Sequence, residues 1–309
     1  MTIVIIGAGI MGVSTAYFLA KHGLPCTLVD CCGIAPAASG RAGGFLARDW
    51  CSHYEMDILA RFGFDLHMEL FQQFGDVCGY RRVETYSIDV TPGDPGKSVK
   101  GPQWIQAKVS RYSRMGSPDT TAQVHPGLLT NELFKQAQQL SQNATNFKLA
   151  RAVGLEFDHN DPPQVTGVRI VPVDEPDAKE KILPASCVLL ATGPWSGTST
   201  GWLPPRCLPS RRFRGHRAHG VVIRPCAEAA ASKPVVGATC LFMDYHGPGR
   251  ACSPEVYPRP DGTVYMCGLS DDERKSRVPY SAVRGSLSQM FDKILVTAAH
   301  SFSDLYPGY

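Results

Sequence analysis

The 309-residue sequence predicts an α/β protein that carries a second sheet of antiparallel strands. Three observations lead to it. A strand, a glycine turn, a helix and a second strand open the chain; a late apolar strand runs into another glycine turn near residue 190; and β-like segments joined by turn-rich stretches interrupt this α/β pattern.

Thr2 to Ile6 is an apolar, β-branched run suited to a strand buried on both faces. Gly7, Gly9 and Gly12 follow at G-x-G-x-x-G spacing, around Ala8, Ile10 and Met11. A helical pattern then runs to His22 and stops at Gly23, and Cys26 to Val29 forms a strand closed by Asp30. Gly7 permits the tight turn, Gly9 lets the backbone approach a pyrophosphate, and Gly12 lets the helix pack on the sheet. The helix N-terminus then faces the phosphates. Asp30, 23 residues beyond Gly7, is placed to accept hydrogen bonds from an adenosine ribose and to repel a 2′-phosphate. The stretch predicts a bound adenine dinucleotide other than NADP.

Ser39-Gly40-Arg41-Ala42-Gly43-Gly44 is either a flexible turn or a backbone passing close to a bulky polar group. From Ser52 to Phe74, the residues Tyr54, Ile58, Phe62, Leu66, Leu70 and Phe74 recur every four positions, with Leu59 and Phe71 widening the stripe, and predict an amphipathic helix ended by Gly75. Tyr80–Val90 and Gln103–Tyr112 read as antiparallel strands of another sheet, separated by the turn-rich Thr91–Gly101. A helix from Val124–Gly127 through Leu140 returns the chain to the first layer. Paired strands over Phe147–Phe157 and Gln164–Val173 follow, and then the continuously apolar Cys187–Leu190, which leads into Ala191-Thr192-Gly193-Pro194-Trp195-Ser196. Asp261-Gly262 marks a hairpin between Glu255–Pro260 and Thr263–Gly268, with Pro258 and Pro260 placing the first strand at an edge or bulge. Ser281–Ser301 predicts a last helix.

Thirty-one basic and 28 acidic side chains leave a net charge of +3, too small a surplus to suggest nucleic acid or an anionic membrane, even though Arg211, Arg212, Arg214, His216, Arg217 and His219 cluster. The first apolar run is too short to span a bilayer, and the fold starting at residue 2 predicts a cytoplasmic protein without a leader. Cys187, Cys240 and Cys267 read as reduced core residues. Cys31 and Cys32 are adjacent, and with no C-x-x-C pair no metal site is expected.

Together, the fingerprint Gly7–Asp30, Ser39–Gly44, Gln123–Leu129, Ala191–Ser196 and Glu255–Gly262 resemble the D-amino-acid oxidase family of FAD-dependent oxidoreductases, most closely its fungal branch. The resemblance implies a Rossmann-like FAD-binding domain (1–80 and 125–203) interleaved with an antiparallel-sheet substrate domain (81–124 and 204–280), and a C-terminal helix and tail (281–309). It implies that Ser39, Gly40, Arg41, Gly43 and Gly44 pass the flavin's pyrophosphate and ribityl chain. Val153 matches a backbone contact at the adenine end, and Ala191, Thr192 and Gly193, with Trp195 beside them, match a third dinucleotide contact. The implied chemistry is oxidation of a C–N bond in a small amine or amino acid, with hydride passing to flavin N5 and water hydrolysing the imine. His216, Tyr257 and Arg259 are candidates for orienting substrate or flavin, and no catalytic base is assigned. Family members continue past the hairpin into a glycine-rich turn and a helix over the flavin ring. No segment after Gly268 offers such a start, so either a C-terminally shortened member or a differently assembled ring-binding side is expected. An NAD-dependent dehydrogenase and a non-catalytic protein that keeps the dinucleotide fold stay open as alternatives.

Overall fold

A computed structural model describes residues 1–91, 108–175, 179–209, 213, 215, 218–224, 237–246 and 253–270. In chain order the first elements are β1 (Ile3–Ile6), α1 (Ile10–Lys21), β2 (Cys26–Asp30), α2 (Ala38–Arg41), β3 (Phe45–Ala47), α3 (Asp57–Phe74), β4 (Arg81–Arg82) and β5 (Glu84–Thr91). Then come β6 (Lys108–Gly116), β7 (Thr121–Gln123), α4 (Pro126–Leu140), β8 (Asn146–Phe157), β9 (Val165–Pro172), β10 (Lys181–Pro184), β11 (Cys187–Leu190) and the single turn α5 (Ser196–Ser199). The last four are β12 (Ala218–Ile223), β13 (Thr239–Tyr245), β14 (Glu255–Pro258) and β15 (Val264–Ser270). Two units result, Met1–Ala42 with Pro126–His216, and Gly43–His125 with the described residues beyond 217.

The first unit is built on a six-stranded sheet of order β10-β9-β8-β2-β1-β11. β1 lies parallel to both neighbours, with Ile3 opposite Cys26 on one side and Cys187 on the other. All four β1 residues are buried, which accounts for an unbroken β-branched run where a half-exposed strand would alternate. α1 buries Val13, Ala16, Tyr17 and Ala20, and it packs on α4, which buries Leu129, Leu133 and Ala137. Gly23 ends the first helix with φ +72°, a conformation that favours glycine. β8 runs parallel to β2 and then continues as the antiparallel partner of β9.

The second unit holds a six-stranded sheet of order β12-β15-β14-β13-β5-β6 and a small three-stranded sheet, β3-β7-β4. The larger sheet is antiparallel except where β5 and β13 run side by side, Glu84 opposite Thr239. Its core is Ile88, Val90, Val109, Leu241, Met243, Tyr245, Val256, Val264 and Met266.

Several expectations are corrected. Residues 43–80, expected in the dinucleotide domain, fall in the second unit, because Phe45–Ala47 and Arg81–Arg82 both pair with β7. The helix expected from Ser52 starts at Asp57, and of its predicted stripe only Leu70 is buried; Tyr54, Ile58, Leu59 and Phe62 are exposed. Periodicity reports a helix's apolar face, while burial depends on what lies against it. β14 is central, not an edge strand: its ladder with β13 covers only Glu255 and Val256, so Pro258, which faces Val264 of β15, lies beyond the β13 ladder. Cys240 is buried as expected, but Cys187 is exposed, because β11 pairs on one side only among the described residues, and Cys267 is half-buried, because it lines a cleft. The turn at 92–101, most of the basic cluster, including His216, and the helix at 281–301 lie outside the described residues.

Candidate functional site

The carboxyl ends of β1, β2 and β11 bring the predicted cofactor residues of the first unit together. Gly7 adopts φ +106°, and a Cβ there would collide with the carbonyl of Ala191, so the turn between β1 and α1 lies directly against the end of β11. A Cβ on Gly12 would strike the Gly7 carbonyl and sit 3.2 Å from Ile5 Cγ2, the close packing of helix on sheet expected of the third glycine. Gly9 differs. Its Cβ would meet only Ser39 Oγ at 3.1 Å, so no backbone of this chain requires a glycine at that position.

Ser39 reaches this turn from α2. Its Oγ accepts the Ile10 N–H at 2.9 Å, which caps one amide of α1 from a residue 29 positions away. Asp30 also braces the turn: Oδ2 accepts from the Ala8 N–H at 3.0 Å and Oδ1 from the Cys32 N–H at 2.8 Å. The sequence expectation gave this carboxylate to a ribose alone. Ala35 N–H donates to the Ala8 carbonyl at 2.9 Å, and a Cβ on Gly40 would collide with the Ala35 carbonyl, so the 31–40 loop is packed tightly on the fingerprint. On the β11 side, Ala191 N–H donates to the Ile6 carbonyl at 2.8 Å. Thr192 Oγ1 lies 2.7 Å from Ser199 Oγ, and Gly193 takes φ +54° to start a short turn that leaves Trp195 exposed. Val153 sits in β8 at the bulge between Ala152 and Gly154. Ala8, Met11 and Arg41 lie on the same turn and loop.

The second unit contains a cleft of about 340 Å³ lined by Gly43, Gly44, Phe45, Trp50, Phe242, Glu255, Tyr257 and Cys267. Four rings form its wall. Phe45 packs against Trp50 at 5.1 Å, Phe242 at 5.2 Å and Tyr257 at 5.5 Å, and Trp50 packs against Phe242 at 5.1 Å. Gly43 is required by this wall, since its Cβ would come within 2.5 Å of the Tyr257 ring. Among the described residues, Glu255 is the one charged residue of the lining. It accepts from the Tyr257 hydroxyl and the Cys267 thiol, and Cys267 faces it across the β14–β15 ladder. Burial, and then the Glu255 carboxylate, push the Tyr257 phenol far up and the Cys267 thiol up to about 12.

Of the three orienting candidates, Tyr257 lines the cleft. Arg259 does not: its guanidinium lies over the Tyr265 ring at 5.1 Å and 3.4 Å from His125 Nε2. Burial and then the Arg259 charge hold the His125 imidazole below its usual range. The sequence reading missed Phe45, Trp50, Phe242 and Cys267, which other strands and loops supply. Glu255 carried a signal, because it lies two residues before Tyr257 and a strand puts such residues on one face.

A mixed sheet whose parallel strands β8, β2, β1 and β11 carry a glycine turn at their carboxyl edge, in a chain that also holds a second sheet with an aromatic cleft, is the architecture of the dinucleotide-binding fold class. The family model described as FAD dependent oxidoreductase (DAO) matches residues 2–308, and the chain belongs to that family. A Schizosaccharomyces pombe protein, provisionally named an oxidoreductase, is 31% identical over 296 residues, covering 88% of this chain and 71% of the relative. Glycine oxidase from Bacillus cereus superposes with a TM-score of 0.66 at 19% identity, covering 95% of this chain and 80% of that one. The glycerol-3-phosphate dehydrogenase of Bacillus halodurans, solved with FAD, superposes with a TM-score of 0.58 at 15% identity, covering 97% and 54%. These structural likenesses establish the fold. Membership sets the flavin family over the nicotinamide alternative. Among the described residues no helix is long and apolar enough to cross a membrane.

Proposed function

We propose that the protein is an FAD-dependent oxidoreductase that oxidises a C–N bond of a small amine or amino acid. The observation that carries the cofactor half is the turn at Gly9, where a Cβ would meet the Ser39 side chain but no backbone of this chain. Gly7–Gly12, Asp30, Ser39–Arg41 and Ala191–Gly193 would hold the dinucleotide, with the α1 N-terminus toward its pyrophosphate. When bound, FAD supplies the two-electron acceptor.

The cleft supports the substrate half. Rings of Phe45, Trp50, Phe242 and Tyr257 offer faces to a positively charged nitrogen, and Glu255 adds a carboxylate of opposite sign. These groups bind and orient a basic amine, while the Tyr257 hydroxyl stays protonated and fixed on Glu255. Glycine oxidase, named for an amino-acid substrate, shares the fold and agrees with this class.

The test is the absorbance spectrum of purified protein after reconstitution with FAD. Near-stoichiometric flavin bands, bleached anaerobically by an amine or amino acid, are expected. A protein that stays colourless with excess FAD overturns the reading in favour of a non-catalytic dinucleotide-fold protein.

A further inference from the structure

The loop behind the cofactor turn carries two adjacent thiols that the proposed reaction does not use. Cys31 Sγ and Cys32 Sγ lie 3.5 Å apart, Cys32 exposed and Cys31 half-buried. We propose that Cys31 and Cys32 form a reversible vicinal disulfide under hydroperoxide, and that this bond loosens the dinucleotide turn through Asp30.

The chemistry balances with one hydroperoxide. The Cys32 sulfur, the exposed one, attacks the peroxide oxygen; the O–O bond breaks, and Cys32 becomes a sulfenic acid while the alcohol or water leaves. Cys31 sulfur then attacks Cys32 sulfur and displaces water, so two thiols and ROOH give one disulfide, ROH and H2O. Burial, the Cys32 thiol and the Asp30 charge hold the Cys31 thiol above its usual range, which suits the second, resolving step better than the first.

The bond is built to be reversible. Adjacent Cα atoms are about 3.8 Å apart across a trans peptide, whereas unstrained disulfides span about 4.4–6.8 Å. A strained, exposed disulfide is readily reduced, the mark of a labile bond as opposed to a structural one.

The coupling is geometric. Asp30 spends one oxygen on the Cys32 N–H and the other on the Ala8 N–H inside the glycine turn. Drawing the sulfurs together from 3.5 Å to the roughly 2 Å of a disulfide twists the Cys31–Cys32 peptide, which carries that Cys32 N–H. Asp30 is then released from the loop on one side, and its hold on Ala8 weakens on the other.

The coupling to cofactor rests on the reading of this turn as the FAD cradle, so the experiment has two readouts. Cofactor-free protein is treated with hydrogen peroxide, and half of it is then reduced with dithiothreitol. Mass spectrometry is expected to find a 2 Da loss (two hydrogens) on the peptide holding Cys31 and Cys32. Hydrogen exchange is expected to show the segment around Ala8 exchanging about tenfold faster, which dithiothreitol reverses and Cys32→Ser abolishes. FAD affinity should fall about tenfold with the same pattern, the loss of one charge-assisted hydrogen bond. Failure to lose 2 Da, or a disulfide with unchanged exchange near Ala8, overturns the proposal. If neither form binds FAD while mass and exchange respond, the cofactor reading fails and the thiol switch stands.

Discussion

Ser39 Oγ and the Ile10 N–H are joined by a 2.9 Å hydrogen bond that fixes the start of α1 to the loop containing α2. Two sequence features that look separate, the glycine fingerprint and the small-residue stretch after Asp30, are thereby one structure. Ser39→Ala should cost about 1 kcal/mol of stability, as removal of a helix-capping oxygen does. Urea denaturation of the cofactor-free protein measures it.

The three fingerprint glycines should fail in different ways. Gly12→Ala places a methyl against the Gly7 carbonyl, and it should destabilise the fold by about 3 kcal/mol before any ligand is added. Gly9→Val crowds the Ser39 hydroxyl, which a Cβ alone would already meet at 3.1 Å, so the apo protein should lose about the 1 kcal/mol of the Ser39 cap while FAD affinity drops by on the order of 100-fold. Calorimetry of both variants with and without FAD separates the two effects.

Burial raises the Cys240 thiol from 9.0 to about 12. The folded protein therefore keeps this proton between those values while the unfolded chain releases it. Stability is intact below pH 9 and falls as pH rises toward 12. Cys240→Ala should remove one released proton, which flattens that limb by up to about 1.4 kcal/mol per pH unit. Denaturant titrations at a series of alkaline pH values read the slope.

Glu255→Gln tests the cleft. Loss of the lining carboxylate should raise KM for a cationic amine about tenfold and alter kcat less, because the group binds charge. Steady-state kinetics with charged and uncharged substrate analogues measure it, and the uncharged analogue should show no such penalty.

The fingerprint was legible because its requirements are local: glycines at 7, 9 and 12, a buried strand on each side and an acid at residue 30. The Asp261-Gly262 hairpin was legible for the same reason. Tyr257 was named as a candidate, but the cleft around it was not, since Phe45, Trp50, Phe242 and Cys267 come from four separate stretches that only the tertiary fold assembles. Arg259, named as a candidate with Tyr257, lies over the Tyr265 ring and beside His125 and not in the cleft, a placement that only the tertiary fold decides. Ile58 and Phe62 misled because spacing along a helix carries no information about whether anything lies against that face.

The parallel partnership of β5 with β13 joins residue 84 to residue 239, and that of β1 with β11 joins residue 3 to residue 187. Both large sheets are therefore closed by strands made late. At a translation rate of about 5–20 residues per second, the edge of β5 left open by β6 waits on the order of ten seconds for β13 to be synthesised. The β1–α1–β2 unit can form at once, but its outer edge stays bare until residue 190 is made. The nascent chain thus presents unpaired apolar strands for most of its synthesis, and folding yield should depend on chaperone supply and growth temperature far more than the finished protein's stability does.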